Sequence, residues 1–226
     1  MSEKEIVIFG AGDLAREVAF LIRELNRRTE GWNLLGFVVE DRDLFGKKVC
    51  GYPIIEGVQA LRRERYGGAA AIGVGIPAIA YRITDQIRVA RLNMTFPVLI
   101  HPSVIADWDN LMLGQGVIVC AGCVLTTQIS LGDFTFVNLG CTIAHDVKTG
   151  VHSIINPQAS ISGGVTLDDY VYIGSNAVIM EDKHIGKGAQ VSIGAVVSTD
   201  VEPWTVVGGN PARVIRRLEP WGRGHT

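Results

Sequence analysis

The side chains with chemistry to offer fall into a few groups. Among five histidines, His145 is followed at once by Asp146. An imidazole titrates near neutral pH, so His145 can take a proton from an incoming amine or hydroxyl. Asp146 can orient or charge-stabilise that base only where a corner turns the pair together, because neighbours on a strand point to opposite faces. His101, directly before Pro102, reads as structural. Near the start, Gly10-Ala11-Gly12-Asp13-Leu14-Ala15 follows an apolar run, and such a glycine turn can seat a nucleotide diphosphate against a helix N-terminus. Glu40 and Asp41 can accept hydrogen bonds from a base or ribose. Residues 101–200 hold no arginine, yet Arg213, Arg216 and Arg217 cluster just beyond. Guanidinium groups supply forked hydrogen bonds to phosphates; a solvated tail is the alternative. Cys120-x-x-Cys123 lacks the second pair or the spaced histidine of a zinc site, so it reads as small apolar filling, and no metal is expected.

Two kinds of element position these groups. The run Lys4 to Phe9, the glycine turn, and Val18, Leu21, Ile22 and Leu25 at helical spacing predict strand, turn and helix. A second strand, Leu34 to Val39, ends in Glu40-Asp41. A helical stretch from Gly57 to Arg65 precedes a third run, Ala69 to Val74, which ends at Gly75. An amphipathic helix follows from Ile79 to Leu92, and Pro97 to Ile100 leads out. This alternation predicts a small Rossmann-like α/β domain with a parallel sheet over residues 1–100.

From Leu111 to Asp200 the period changes to six. In fifteen consecutive hexads the third position is Leu, Ile or Val fourteen times, with Thr149 the exception. Those types make up 65 of 226 residues, so chance would give about four. Six fits neither a helix nor a hairpin sheet. It fits a parallel β-helix, a three-sided prism whose every third hexad stacks at ~4.8 Å. Residues 101–200 form this prism, and residues 201–226, with Pro203, Gly208, Gly209 and Pro211, close its exposed end. Eighteen residues per coil put Gly163 one strand spacing above His145.

Composition narrows the function. Apolar residues make up 47% of the chain and charged residues 19%, which excludes a disordered or fibrous chain. The net charge of −2 divides into +2 over residues 1–100 and −4 over 101–226, so no nucleic-acid partner is expected. No apolar run is long enough to span a membrane and MSEKEIVIFG lacks a signal peptide's pattern, so a cytoplasmic protein with reduced cysteines is expected.

The ordered runs GAGDLAREV, HPSVIAD, NLGCTIAHD and VVGGNPARVIRR span almost the whole chain. Through them the sequence resembles the bacterial sugar O- and N-acetyltransferases of the sialic acid O-acetyltransferase type. It looks closest to those that acetylate the amino group of a nucleotide-linked sugar in surface glycan biosynthesis. The resemblance implies a left-handed β-helix, a homotrimer, and acetyl-CoA in a groove between neighbouring prisms. It carries the family's base to His145 and its acid to Asp146, within the segment that begins at Asn138. Gly163 then leaves room for the thioester and offers its N–H to the sulfur or oxyanion; a plain turn glycine is the alternative. The family's later glycine and arginine fall on Gly75 and Arg82, while Leu14 and Ile76 stand where it often has His and Asn. Its second histidine would fall at Ile154, with His152 two places earlier, and a CoA-contacting role carries over to His152. Ser175, Ile193 and Gly194 match positions whose backbone holds the pantetheine arm, and the three arginines would take the phosphates of CoA. The acceptor stays open between nitrogen and oxygen. A nicotinamide dehydrogenase fails on size, a γ-type carbonic anhydrase on histidine spacing, and a non-catalytic scaffold would not release thiol from acetyl-CoA.

Overall fold

The computed structural model describes residues 4–28 and 31–221, in two compact units that divide between Pro102 and Ser103. The first unit is built on β1 (Lys4–Phe9), α1 (Asp13–Asn26), β2 (Trp32–Val39), β3 (Lys48–Val49), β4 (Tyr52–Glu56), α2 (Gly57–Arg63), β5 (Ala69–Ile72) and α3 (Pro77–Val89). Its sheet runs β3-β4-β2-β1-β5 and is parallel except for β3 on β4. The β3–β4 hairpin lies inside a stretch whose sequence gave no strand reading; it turns at Cys50-Gly51, both with positive φ. Helix α1 buries Val18, Ala19, Leu21, Ile22 and Leu25, the apolar stripe expected at helical spacing.

The second unit is the prism. One face stacks Ile105–Ala106, Val124–Leu125, Thr142–Ile143, Ser160–Ile161, Val178–Ile179 and Val196–Val197. A second stacks Leu111–Leu113, Ile129–Leu131, Lys148–Thr149, Thr166–Leu167 and His184–Ile185, and a third runs from Ile118–Val119 through Gln190–Val191 to Thr205–Gly208. The pairings are parallel, and Leu125 pairs with Ile143 and Ile143 with Ile161, the expected eighteen-residue rise. The third position of each hexad points inward, so Leu125, Ile143, Ile161 and Ile179 are almost wholly buried. Thr149 breaks the apolar column without leaving a polar atom unmet. Its Oγ1 lies 2.9 Å from the Thr135 hydroxyl and accepts from the Gly132 N–H at 3.1 Å.

Each hexad ends on a corner, and the corner has a fixed backbone signature. Every sixth residue from Gly116 to Gly194 has positive φ, among them Gln128, Phe134, Asp146, His152, Tyr170, Asn176 and Asp182. Left-handed backbone costs a non-glycine residue about 1–2 kcal/mol, so stacking of the coils must hold these corners. Beyond the last hexad, Thr205–Gly208 continues the third face and Arg213–Arg217 returns antiparallel on it. No helix among the described residues is long and apolar enough to cross a membrane.

Candidate active site

One prism corner brings His145 and Asp146 together. Asp146 takes the left-handed turn at φ 61°, which brings its carboxylate beside the preceding residue rather than across the strand. His145 Nδ1 and Asp146 Oδ2 are 2.9 Å apart, and both side chains are exposed. With Nδ1 directed at a carboxylate, that nitrogen carries the proton and Nε2 is the basic atom. One coil above, a Cβ on Gly163 would stand 2.5 Å from Nε2 and 2.4 Å from Cε1. Gly163 lacks positive φ, and its neighbour Gly164, at φ 70°, makes the turn. A side chain at 163 would collide with the imidazole in its present position. Its N–H makes no hydrogen bond among the described residues and is available to an oxygen or sulfur.

His152 lies seven residues on, at a different corner. It is 5% exposed and sandwiched between Phe134, stacked at 4.9 Å and 11°, and Tyr170, stacked at 6.0 Å. Burial pushes its pKa down to about 4. The role carried over to this residue therefore meets a different fact: the ring is packed inside an aromatic ladder that Trp221 extends over Tyr170 at 4.7 Å. That ladder was readable from positions eighteen residues below and above His152.

The remaining prism residues lie on other edges. Asn138 is 5% exposed, and its Oδ1 accepts from the Leu139 N–H at 2.7 Å. Ser175 and Ile193 share the corner column of Leu139 and Gly194 that of Gly140 beside it; Ile193 is 74% exposed and the Gly194 N–H donates to Ser175 O at 2.9 Å. The corner that carries Asn138, Leu139 and Ile193 and the corner that carries His145 bound the same face, one at each edge. Arg213, Arg216 and Arg217 are exposed on the returning strand. Cys120 and Cys123 are buried in the prism, and the Cys123 thiol donates to Asn138 O.

The first unit carries a cavity of about 370 Å³ at the carboxyl ends of β1 and β2, against α3. Gly10, Glu40, Asp41 and Arg82 line it, bringing four of the sequence-predicted residues together. Ligands of open α/β sheets bind at this end of the strands. Gly10 has φ 98°, and a Cβ there would meet Val74 Cγ2 at 2.9 Å, so only glycine lets the chain pass. The two acids already hold backbone: Glu40 Oε1 accepts from the Val58 N–H at 3.0 Å and Asp41 Oδ1 from the Asp43 N–H at 3.0 Å. Arg82 is exposed and makes no ion pair among the described residues. Gly12, Asp13 and Gly75 do not line the cavity. Gly12 caps α1, Asp13 pairs with Arg16, and Gly75 sits beside Leu14.

No family model matches the chain. It is 31% identical over 216 residues to the GDP-perosamine N-acetyltransferase of Escherichia coli O157:H7, covering 93% of this chain and 96% of that one. The chain belongs to the hexapeptide acetyltransferases of the GDP-perosamine N-acetyltransferase type. Solved structures agree. PerB from Caulobacter crescentus, in complex with CoA and GDP-perosamine, superposes with a TM-score of 0.84 at 25% identity, covering 94% of this chain and 97% of that one. The acetyltransferase domain of PglB from Neisseria gonorrhoeae, in complex with acetyl coenzyme A, gives 0.84 at 29% identity over 95% and 100%. The hexapeptide prism is accordingly the left-handed β-helix that the resemblance implied.

Proposed function

We propose that this acetyltransferase moves the acetyl group of acetyl-CoA to the amino group of a nucleotide-linked amino sugar, with His145 as general base. The observation that carries the reading is the His145–Asp146 pair at 2.9 Å beneath a side-chain-free Gly163, in a chain aligned along nearly its whole length with an N-acetyltransferase.

The amine nitrogen attacks the thioester carbonyl while His145 Nε2 takes its proton, and the Asp146 carboxylate stabilises the imidazolium. The tetrahedral oxyanion forms next to the Gly163 N–H. As the C–S bond breaks, the imidazolium returns the proton to the leaving thiolate, giving an amide and free CoA. Acetyl-CoA is a co-substrate, and no step needs a metal.

The nucleotide is assigned to the cavity of the first unit: Asp41 and Glu40 toward base and ribose, the Gly10 turn and Arg82 toward phosphate. In the prism, Ser175, Ile193 and Gly194 are assigned to the pantetheine arm and the three arginines to the CoA phosphates. These residues and His145 border opposite edges of one face. The outward column on that face is Ile105, Val124, Thr142, Ser160, Val178 and Val196, mostly β-branched and apolar, with Ile105 68% exposed. Packing three copies by this face sets the His145 edge of one copy beside the Ile193 edge of the next, so we infer a homotrimer with three shared sites. The wider kinship with sialic acid O-acetyltransferases rests on the shared sequence runs, with an amine as the acceptor here. A requirement for acetyl-CoA and a nucleotide sugar supports a cytoplasmic enzyme.

The test is incubation with acetyl-CoA and a panel of UDP- and GDP-linked amino sugars, following thiol release and acetylated product. Turnover of at least one is expected. Thiol release with none of them would sink the reading. Light scattering should report three chains of 24.4 kDa per particle, and a monomer at micromolar concentration would sink the shared site.

A further inference from the structure

The corner that carries His145 is built differently in its lowest coil. Ile105 pairs with Val124, nineteen residues on, whereas Leu111 pairs with Ile129, eighteen on. The first coil therefore holds one extra residue at this corner. The four residues 107–110 fill the place that 126–128 fill above and wind into a short 3-10 turn, Trp108–Asn110, capped by Asp107. The turn projects Trp108 outward, 55% exposed.

Asp107 is tied upward. Its Oδ2 accepts from the Thr127 hydroxyl at 2.6 Å and from Asn110 Nδ2 at 2.9 Å. The hydrogen bond from Thr127, then that from Asn110, holds its carboxyl below the usual carboxylate range, so the group is charged at neutral pH. Thr127 lies one coil below His145, and its carbonyl accepts the Asp146 N–H at 3.2 Å. A fixed anion and an exposed indole thus stand on the same edge two coils below the base, while the coil above is cleared by Gly163.

We propose that the Asp107–Asn110 turn is the subsite for the acceptor sugar. The Trp108 face stacks on the apolar side of the pyranose ring and the Asp107 carboxylate draws the ammonium group of the sugar toward His145, where it gives one proton to solvent before the neutral amine attacks the thioester and passes its second proton to Nε2. Exposed indoles suit a partner that is apolar on one face and wet at its rim, and an amino sugar is that partner. A carboxylate two coils below the base interacts with an ammonium and gives a hydroxyl no such term, so Asp107 sets the preference for nitrogen over oxygen. Thr127 is a positioning residue that aims the carboxylate. Acceptor below and thioester above then meet at His145 from opposite sides. This inference rests on the acetyl-transfer reading and supplies its acceptor specificity.

The test uses the nucleotide amino sugar that the wild type turns over and its counterpart with hydroxyl in place of the amine, the latter as a competitive inhibitor. Asp107→Asn should raise KM for the amino sugar about tenfold and leave the inhibition constant of the hydroxyl counterpart and KM for acetyl-CoA unchanged. Trp108→Ala, at an exposed position that folding does not need, should raise both sugar constants together. Thr127→Val should follow Asp107→Asn, and Thr127→Ser should restore the wild-type value. An unchanged KM in Asp107→Asn, or equal weakening of amino and hydroxyl ligands, would overturn the subsite. If the wild type turns over no amino sugar, the acetyl-transfer reading falls first and takes the subsite with it. That result appears before any variant is made.

Discussion

His145 and His152 stand seven residues apart on the same solenoid, at or beside a corner with the same left-handed backbone, and they have opposite fates. At the first corner the coil above offers Gly163, the ring is exposed, and Nδ1 faces a carboxylate. At the second, Phe134 and Tyr170 close on the ring from below and above, and burial depresses its pKa to about 4. The backbone is nearly indifferent between them. What leaves one imidazole exposed beside a carboxylate and packs the other away is the pair of residues eighteen positions away in each direction. In a stacked prism those are nearer neighbours than residues two positions along the strand.

The comparison breaks most visibly at the exposed histidine. His145→Ala should lower kcat by ~10²–10⁴-fold while trimer and acetyl-CoA affinity persist, since a positioned general base contributes on that scale. A near-normal kcat would return the proton transfer to the substrate or solvent. A thermal melt showing an unfolded variant would make this histidine structural too.

Making the first corner more like the second is the next largest effect. Gly163→Ala adds a Cβ at a position that needs no special backbone, but 2.4 Å from the imidazole carbon. The ring must swing away from Asp146, and a displacement of that order should reduce kcat by about hundredfold. Unchanged activity would mean that the groove above His145 is wide enough for a methyl group. The glycine would then owe its place to something else.

The buried corner is tested through stability. His152 folds with its neutral form favoured, so its contribution is intact above the unfolded pKa of ~6.5 and is lost as pH falls toward 4, where protons bind the unfolded chain first. Between those limits the loss amounts to about 3 kcal/mol at most. His152→Phe keeps an aromatic ring between Phe134 and Tyr170 and should flatten this acid dependence in denaturant titrations, with activity at neutral pH retained. An acid profile identical to that of the wild type would assign the loss to other groups.

Much of this contrast is legible in the sequence once the period is known. Six-residue spacing yields the prism, the inward column and the placement of Gly163 over His145. The same eighteen-residue step applied to His152 finds Phe134 and Tyr170, and so its burial. Other features leave no such trace. Eight of the fourteen corners, Asp146, His152 and Tyr170 among them, hold left-handed backbone without glycine, because stacking overrides local preference, so those turns cannot be picked out by residue type. The extra residue at 107–110 falls before the regular hexads begin and shows only in the strand register. In the first unit, Glu40 and Asp41 read as ligand acceptors, yet each also accepts a backbone N–H. The partner N–H of Glu40 lies eighteen residues on, beyond the reach of local pattern.

The smallest effect expected concerns the arginines, where strand geometry refines a grouping that spacing alone treats as one. Arg216 and Arg217 are neighbours on an extended strand, and side chains of neighbours point to opposite faces. A single CoA phosphate cluster on one side of the strand can meet only one of them. The double variant Arg216→Ala with Arg217→Ala should raise KM for acetyl-CoA about tenfold with kcat little changed, as for contacts kept in both ground and transition states. The single variants should divide that effect unequally, one close to the wild type and one close to the double. Because both guanidinium groups are exposed, added salt should raise the wild-type KM toward that of the variant, whose own KM should respond little. Two equal single effects would place the phosphates across the strand edge, and no effect in either would leave the strand facing solvent, with the cofactor phosphates held elsewhere.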